Sequence, residues 1–268
     1  MHRMIKFATL AAIASLPVAA HAHKPWLLPS VTVSTPDQWV TVDAAVSDNL
    51  FYFDHVPLRV DSLAITAPDG SSPAPENVAT GKYRTTFDLH LTANGTYRLA
   101  NLSNGVFASY EENGTTKRWR GTAEKFATEV PANAKNLQVS ESTGRVETFV
   151  TAGKPTTAAL KPTNVGLELV PITHPNDLYA GEPTQFRFLL DGKPAANLPI
   201  TVIAGGVRYR DSQDEIKLVT DTKGEVSITW PAPGMYWLQS SLQDDKTSLK
   251  QAKQRRVSYS ATLEVLPQ

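Results

Sequence analysis

Histidine is the residue type in this chain best placed to do chemistry. Of six histidines, two stand close together at His21 and His23, where Ala20-His21-Ala22 ends an apolar segment. This is the small–x–small pattern that signal peptidase accepts. A cut after Ala22 makes His23 the first residue of the exported chain, with a free α-amine beside its imidazole. Those two nitrogens can chelate one metal ion, and a second histidine from the fold can complete the site. Imidazole and amine nitrogens suit copper(II) and nickel(II) in flattened geometry. A cut after Ala20 instead leaves His21-Ala22-His23, and a histidine in the third position chelates the same metals through the amine and the intervening backbone nitrogens. Either cut gives a metal-competent terminus. The opposing reading is a polar residue that follows a cleavage site by accident. The next residues, His23-Lys-Pro-Trp-Leu-Leu-Pro-Ser30, argue against it. A frayed end is polar and mobile, whereas Trp26, Leu27 and Leu28 give this one an apolar face with which to dock and fix His23.

The other histidines are weighed the same way. His55 lies in Ser47-Asp-Asn-Leu-Phe-Tyr-Phe-Asp-His-Val-Pro57, where Asp54 and His55 offer a carboxylate and an imidazole together. Both are ligand candidates, or one orients the other; the alternative is a surface loop histidine. His90 shares one face of a strand with Asp88, opposite Phe87, Leu89 and Leu91, so it is either a ligand or a solvent-facing strand residue. His174, in Thr173-His-Pro-Asn-Asp177, either reaches a site at a domain junction or caps a turn. The candidate metal ligands are therefore His23, His55, Asp54, His174 and His90, with nickel, cobalt or copper as the ion.

The elements that must position these residues read as strands. Residues 1–22 have the layout of a cleaved signal peptide: Arg3 and Lys6, an apolar run from Phe7 to Ala20 interrupted by Pro17, and the small–x–small site. An exported chain, soluble after processing and periplasmic in a two-membrane host, is expected. Without Arg3 and Lys6 it carries 24 basic against 26 acidic side chains, which gives no reason to expect nucleic acid as a partner. Cysteine is absent, which removes thiolate chemistry and disulfides together. Short runs alternate apolar and polar residues, as in Trp39–Ala45, Thr96–Leu102 and Gln185–Leu190, and Asn94-Gly95, Asn113-Gly114 and Asp191-Gly192 supply hairpin turns. A short helix fits near Ala123–Phe126. Lys117–Arg120 reads as a charged edge strand and Lys250–Arg256 as a solvated hairpin or loop. The pattern predicts an all-β chain of two β-sandwich domains, residues 23–153 and 164–268, divided where Gly153, Pro155 and Pro162 interrupt it.

Two resemblances add to this. Asp191-Gly-Lys-Pro, Thr220-Asp-Thr-Lys-Gly-Glu225 and Pro233-Gly-Met-Tyr-Trp237 make residues 165–266 similar to transthyretin-like and immunoglobulin-like modules of bacterial surface and periplasmic proteins. Ala22-His23, Trp26-Leu27, Pro29, Thr173-His-Pro-Asn-Asp-Leu178 and Gly181 make the whole chain resemble the DUF4198 family, exported proteins similar to periplasmic components of nickel and cobalt uptake. That resemblance implies metal binding or delivery, with His23 as the leading ligand and an uptake transporter or outer-membrane receptor as partner. No Gly-rich phosphate loop, G-x-S-x-G or H-E-x-x-H is present, and no carboxylate pair reads as acid and base, so a binding protein is expected and not an enzyme. Two rivals stand beside it. One is a metal-free adhesion or scaffold module of the envelope. The other is a histidine-brace copper oxygenase, which also uses an N-terminal histidine on a β-sandwich.

Overall fold

The computed structural model describes residues 23–268; the signal peptide expected over residues 1–22 lies outside the described residues. In chain order the first half contains β1 (Lys24–Pro29), β2 (Val33–Ser34), β3 (Gln38–Ser47), β4 (Val56–Pro57), β5 (Leu63–Thr66), β6 (Glu76–Thr80), β7 (Thr85–Leu91), β8 (Gly95–Glu112), β9 (Thr115–Gly121), α1 (Ala123–Glu129) and β10 (Lys135–Ala152). The second half contains β11 (Leu167–Pro171), β12 (Pro183–Leu190), β13 (Lys193–Pro194), β14 (Pro199–Ala204), β15 (Ile216–Val219), β16 (Glu225–Thr229), β17 (Gly234–Asp244) and β18 (Ala252–Val265). The chain is all-β, as the alternation predicts. The short helix is α1, whose start is capped by the Thr122 side chain accepting from the Lys125 N–H.

The strands form three sheets. A five-stranded sheet runs β1-β3-β7-β6 with β4 on β3; a four-stranded sheet is built on β11, β12, β13 and β16. Between them lies a nine-stranded sheet, β15-β14-β17-β18-β10-β8-β5 along its main path. Its centre is a parallel pairing of β10 with β18, from Val139↔Ala252 to Thr148↔Thr262. Both halves of the chain therefore contribute to one sheet.

The two smaller sheets cover opposite faces of the large one, because β10 alternates. Val146 and Val150 point into a core with Leu27, Val40, Val42, Phe87, Leu89, Tyr97 and Leu99, under the five-stranded sheet. Phe149 points the other way, into a core with Leu169, Phe186, Phe188, Ile228, Trp230, Tyr236 and Tyr259, under the four-stranded sheet. Strand periodicity of two makes this division automatic. Two sandwiches share one sheet.

Where the halves meet, a cluster of buried charges is paired. The Arg145 guanidinium, 7% exposed, lies 2.9 Å from Glu147 and 3.3 Å from Glu168. The Tyr259 hydroxyl donates to Glu147 at 2.8 Å. Burial, reinforced by the Glu147 charge, pushes that phenol well above its ordinary range. Lys250–Arg256, expected as a solvated hairpin or loop, is the returning arm of the β17–β18 hairpin, and from Ala252 onward it is also held by β10. Lys117–Arg120 lies in β9, which pairs only with β8, as an edge strand should.

Candidate metal centre

The site is assembled where three strand ends converge. At its far end β3 is flanked on one side by β1, with Lys24 opposite Ser47, and on the other by β4, with Val56 opposite Val46. His23 immediately precedes β1, Asp48 immediately follows β3, and His55 immediately precedes β4. The antiparallel register thus gathers residues 25 and 32 positions apart in the chain. The Nδ1 of His23 lies 2.7 Å from Oδ1 of Asp48. The His23 and His55 rings stack with centroids 3.7 Å apart and planes 14° apart. One ligand atom from each of His23, Asp48 and His55 lies within 4.8 Å of the other two.

Each of the three is held from behind. The apolar wedge predicted after His23 is in place: Trp26 and Leu27 are fully buried. Trp26 packs with Ala45, Leu50, Ile203 and Trp237, and its indole N–H donates to Ser47 Oγ at 2.8 Å. The Pro25 carbonyl accepts from the Trp237 indole at 2.9 Å and from Ser260 Oγ at 3.2 Å, so the second half of the chain grips β1 directly. Lys24 is buried and donates to the Asp48 carbonyl at 3.1 Å. Desolvation lowers its pKa, opposed by the charges of Asp48, Glu215 and Asp54.

The loop from Asp48 to His55 is pinned at its middle and at its base. Leu50 is fully buried, and Phe51, at φ 63°, meets Trp26 edge-on. Gly205 lets that ring approach: a Cβ there would sit 3.2 Å from Phe51 Cδ2. Asp54 closes the base. Its carboxylate accepts from the Asp48 N–H at 2.9 Å, the Asn49 N–H at 3.0 Å and Asn49 Nδ2 at 2.8 Å. Partial burial works against its charge, but the hydrogen bonds from Asn49 and Asp48 outweigh it and hold the pKa below the usual carboxylate value. The acceptor capacity of Asp54 is spent on the loop, so it acts here as an orienting group and leaves the donor role to Asp48 and His55.

The remaining candidates lie elsewhere. His90 Nε2 is 2.8 Å from Asp37, and its ring stacks on Trp39 at 4.5 Å. His174 is at the junction of the halves, with Nε2 2.9 Å from Thr96 Oγ1 and 3.2 Å from the Thr156 carbonyl, while its Nδ1 accepts from the Asn176 N–H. Those contacts assign a neutral ring protonated at Nε2. Burial lowers its pKa, opposed by the Thr156 hydrogen bond and the Asp177 charge. Its turn-binding role, which the sequence left open beside a ligand role, matches these contacts. Neither histidine joins His23. Asp48 is the residue sequence reasoning missed: it stands in a Ser-Asp-Asn turn like many others, and only the β1–β3 register shows that it faces His23.

Chemically, two imidazoles and one carboxylate form a donor set suited to copper, nickel or zinc rather than magnesium or calcium. The in-plane lone pairs of two stacked rings run side by side, so bringing both onto one ion requires a ring to rotate out of the stack.

The profile described as a domain of unknown function, DUF4198, matches residues 20–244, most of the chain. The chain belongs to the DUF4198 family. No curated protein matches this DUF4198 chain. Among solved structures it is similar to the D0-D1 domain of intimin, at 12% identity over 90% of this chain and 97% of that one, with a TM-score of 0.23. It is also similar to the adhesin InvE of Yersinia pseudotuberculosis, at 12% identity over 91% and 61%, with a TM-score of 0.24. A third is trypsin-activated alpha-2-macroglobulin of Escherichia coli, at 15% identity over 92% and 16%, with a TM-score of 0.25.

Proposed function

We propose that this protein is a periplasmic binding protein for a transition-metal ion, copper, nickel or cobalt, acting in capture or delivery rather than catalysis. The observation that carries the reading is the convergence of His23, Asp48 and His55 to within 4.8 Å. Signal cleavage after Ala22 would add the α-amine of His23 as a nitrogen donor on the residue already oriented by Asp48. His23 would then chelate through amine and Nδ1, with His55 supplying a second imidazole and Asp48 a carboxylate oxygen or a hydrogen bond. An exposed site at a strand end suits an ion that is handed on, and an uptake transporter or outer-membrane receptor is the partner this implies.

The test is titration calorimetry of copper(II), nickel(II) and cobalt(II) into the processed protein and into a His23→Ala, His55→Ala double variant, with intact mass establishing the first residue. The expected result is one ion per chain in the parent and none in the double variant, whose circular dichroism is unchanged. Equal affinity in the two proteins would sink the assignment. A protein that binds no ion would favour the adhesion or scaffold reading.

A further inference from the structure

The face of the nine-stranded sheet that carries Leu99, Tyr97 and Val146 under the five-stranded sheet continues past that cover, and its character changes there. The registers lay out the rows. Asn101, Val146, Ser260 and Gln239 align across β8, β10, β18 and β17. The next row is Ser103, Gly144, Ser258 and Ser241; beyond it come Gly105, Ser142, Arg256 and Gln243. Hydroxyls, amides and glycines replace valine, leucine and tyrosine. The resulting trough has a volume of about 830 Å³, is walled at one end by β1 from His23 to Pro25, and reaches Phe107 at the other.

Two observations distinguish this trough from an ordinary solvated sheet. Long charged side chains would serve water as well and would fill the space; here the middle row is held open by its small residues. A Cβ on Gly144 would lie 2.6 Å from Ser103 Oγ and 3.2 Å from Ser258 Oγ. Asn101, on the lining and 5% exposed, donates through Nδ2 to the Arg59 carbonyl, but its Oδ1 has no partner. A buried acceptor left without a partner is destabilising, and such groups in native proteins call for a ligand or water to complete them.

We infer that the trough binds a neutral polyhydroxylated ligand, a short saccharide chain. Serine hydroxyls and the glutamine and asparagine amides both donate and accept hydrogen bonds, as sugar hydroxyls do. Most ionic groups on the lining are engaged elsewhere: Glu141 accepts from the Ser248 and Leu249 N–H groups, Arg145 is held by Glu147 and Glu168, Lys24 donates to the Asp48 carbonyl and Glu215 lies 2.9 Å from Lys217. That leaves Arg256 at the edge of the trough as a hydrogen-bond donor to a sugar hydroxyl. Phe107, 41% exposed, offers an apolar surface on which a sugar ring can rest. The volume lies within the range of roughly 300–1,000 Å³ typical of small-molecule sites. This inference stands apart from the metal reading and shares with it only the β1 wall.

The test is calorimetry with maltohexaose, cellohexaose and chitohexaose, and with gluconate and citrate as anionic hydroxy acids, citrate being the more highly charged. At least one neutral sugar is expected to bind saturably with a Kd of about 1 mM or tighter. Ser142→Phe, which fills the trough, and Gln239→Ala, which removes an amide without adding bulk, should each weaken it about tenfold or more while copper affinity stays at the parent value. His55→Ala, at a residue outside the trough lining, should leave sugar binding intact. The inference is overturned if no neutral sugar saturates below about 10 mM, if the anionic acids alone bind, or if sugar binding survives both trough substitutions.

Discussion

Two surface histidines in this protein have nearly the same immediate partners, yet only one stands beside a second imidazole. His23 lies 2.7 Å from Asp48 and His90 lies 2.8 Å from Asp37. Each stacks on a flat ring, His23 on His55 and His90 on Trp39. The difference is the second ring. An indole adds dispersion and a π face but no ligand atom, whereas an imidazole adds a nitrogen. What lies beneath them differs too: His23 precedes a buried tryptophan wedge tied to both halves of the chain, and His90 stands next to the end of β7, within the first half alone. A histidine–carboxylate pair is common surface chemistry; a third donor and a rigid footing give it a use.

The comparison can be broken at several points. Removing the footing has the largest expected effect: Trp26→Ala should lower stability by about 3–5 kcal/mol, the usual range for a buried tryptophan truncation, measured by urea unfolding. The same experiment on metal binding should show weakened copper affinity even where the protein remains folded. Releasing the loop comes next. Asp54→Ala should reduce affinity by about 10-fold or more, as expected for a group that orients ligands without being one, whereas Asp37→Ala beneath His90 should leave calorimetric affinity where it was.

The third prediction concerns pH and His174. Its folded pKa lies below the unfolded value of 6.5 because burial disfavours the charged ring. Between those two values the unfolded chain binds more protons, so stability present above pH 6.5 is lost as pH falls through the unfolded value towards the folded one. Urea midpoints taken with chelator present should fall between pH 7.5 and 5.5, and His174→Gln should flatten that fall. The smallest effect belongs to His90→Ala. It should leave metal stoichiometry unaltered and change stability by less than about 1 kcal/mol; a lost metal equivalent would show that the two histidine–carboxylate pairs are not functionally different after all.

The sequence reveals what depends on short-range pattern. Alternation and turn chemistry announce the strands, and Trp26-Leu27-Leu28 announces a docked segment, because burial of alternate side chains is written locally. His23 and His55 are legible from their neighbours. Asp48 is not, since its role depends on β1 and β3 aligning Lys24 with Ser47. His90 and His174 carry the same imidazole as His23, and what separates them is the tertiary partner each meets. The parallel pairing of β10 with β18 joins residues more than a hundred positions apart, and no local pattern encodes it.

The grip of Trp237 and Ser260 on the Pro25 carbonyl has a consequence for the order of events during biogenesis. All three proposed donors lie within the first third of the described residues, but the surface against which their strand rests is made from β17 and β18. A chain still being delivered therefore carries the donor atoms without the geometry, and long-range topologies of this kind assemble slowly. On the proposed reading, a rigid cradle for an ion would arrive only with the final strands, and a half-made molecule would lack it.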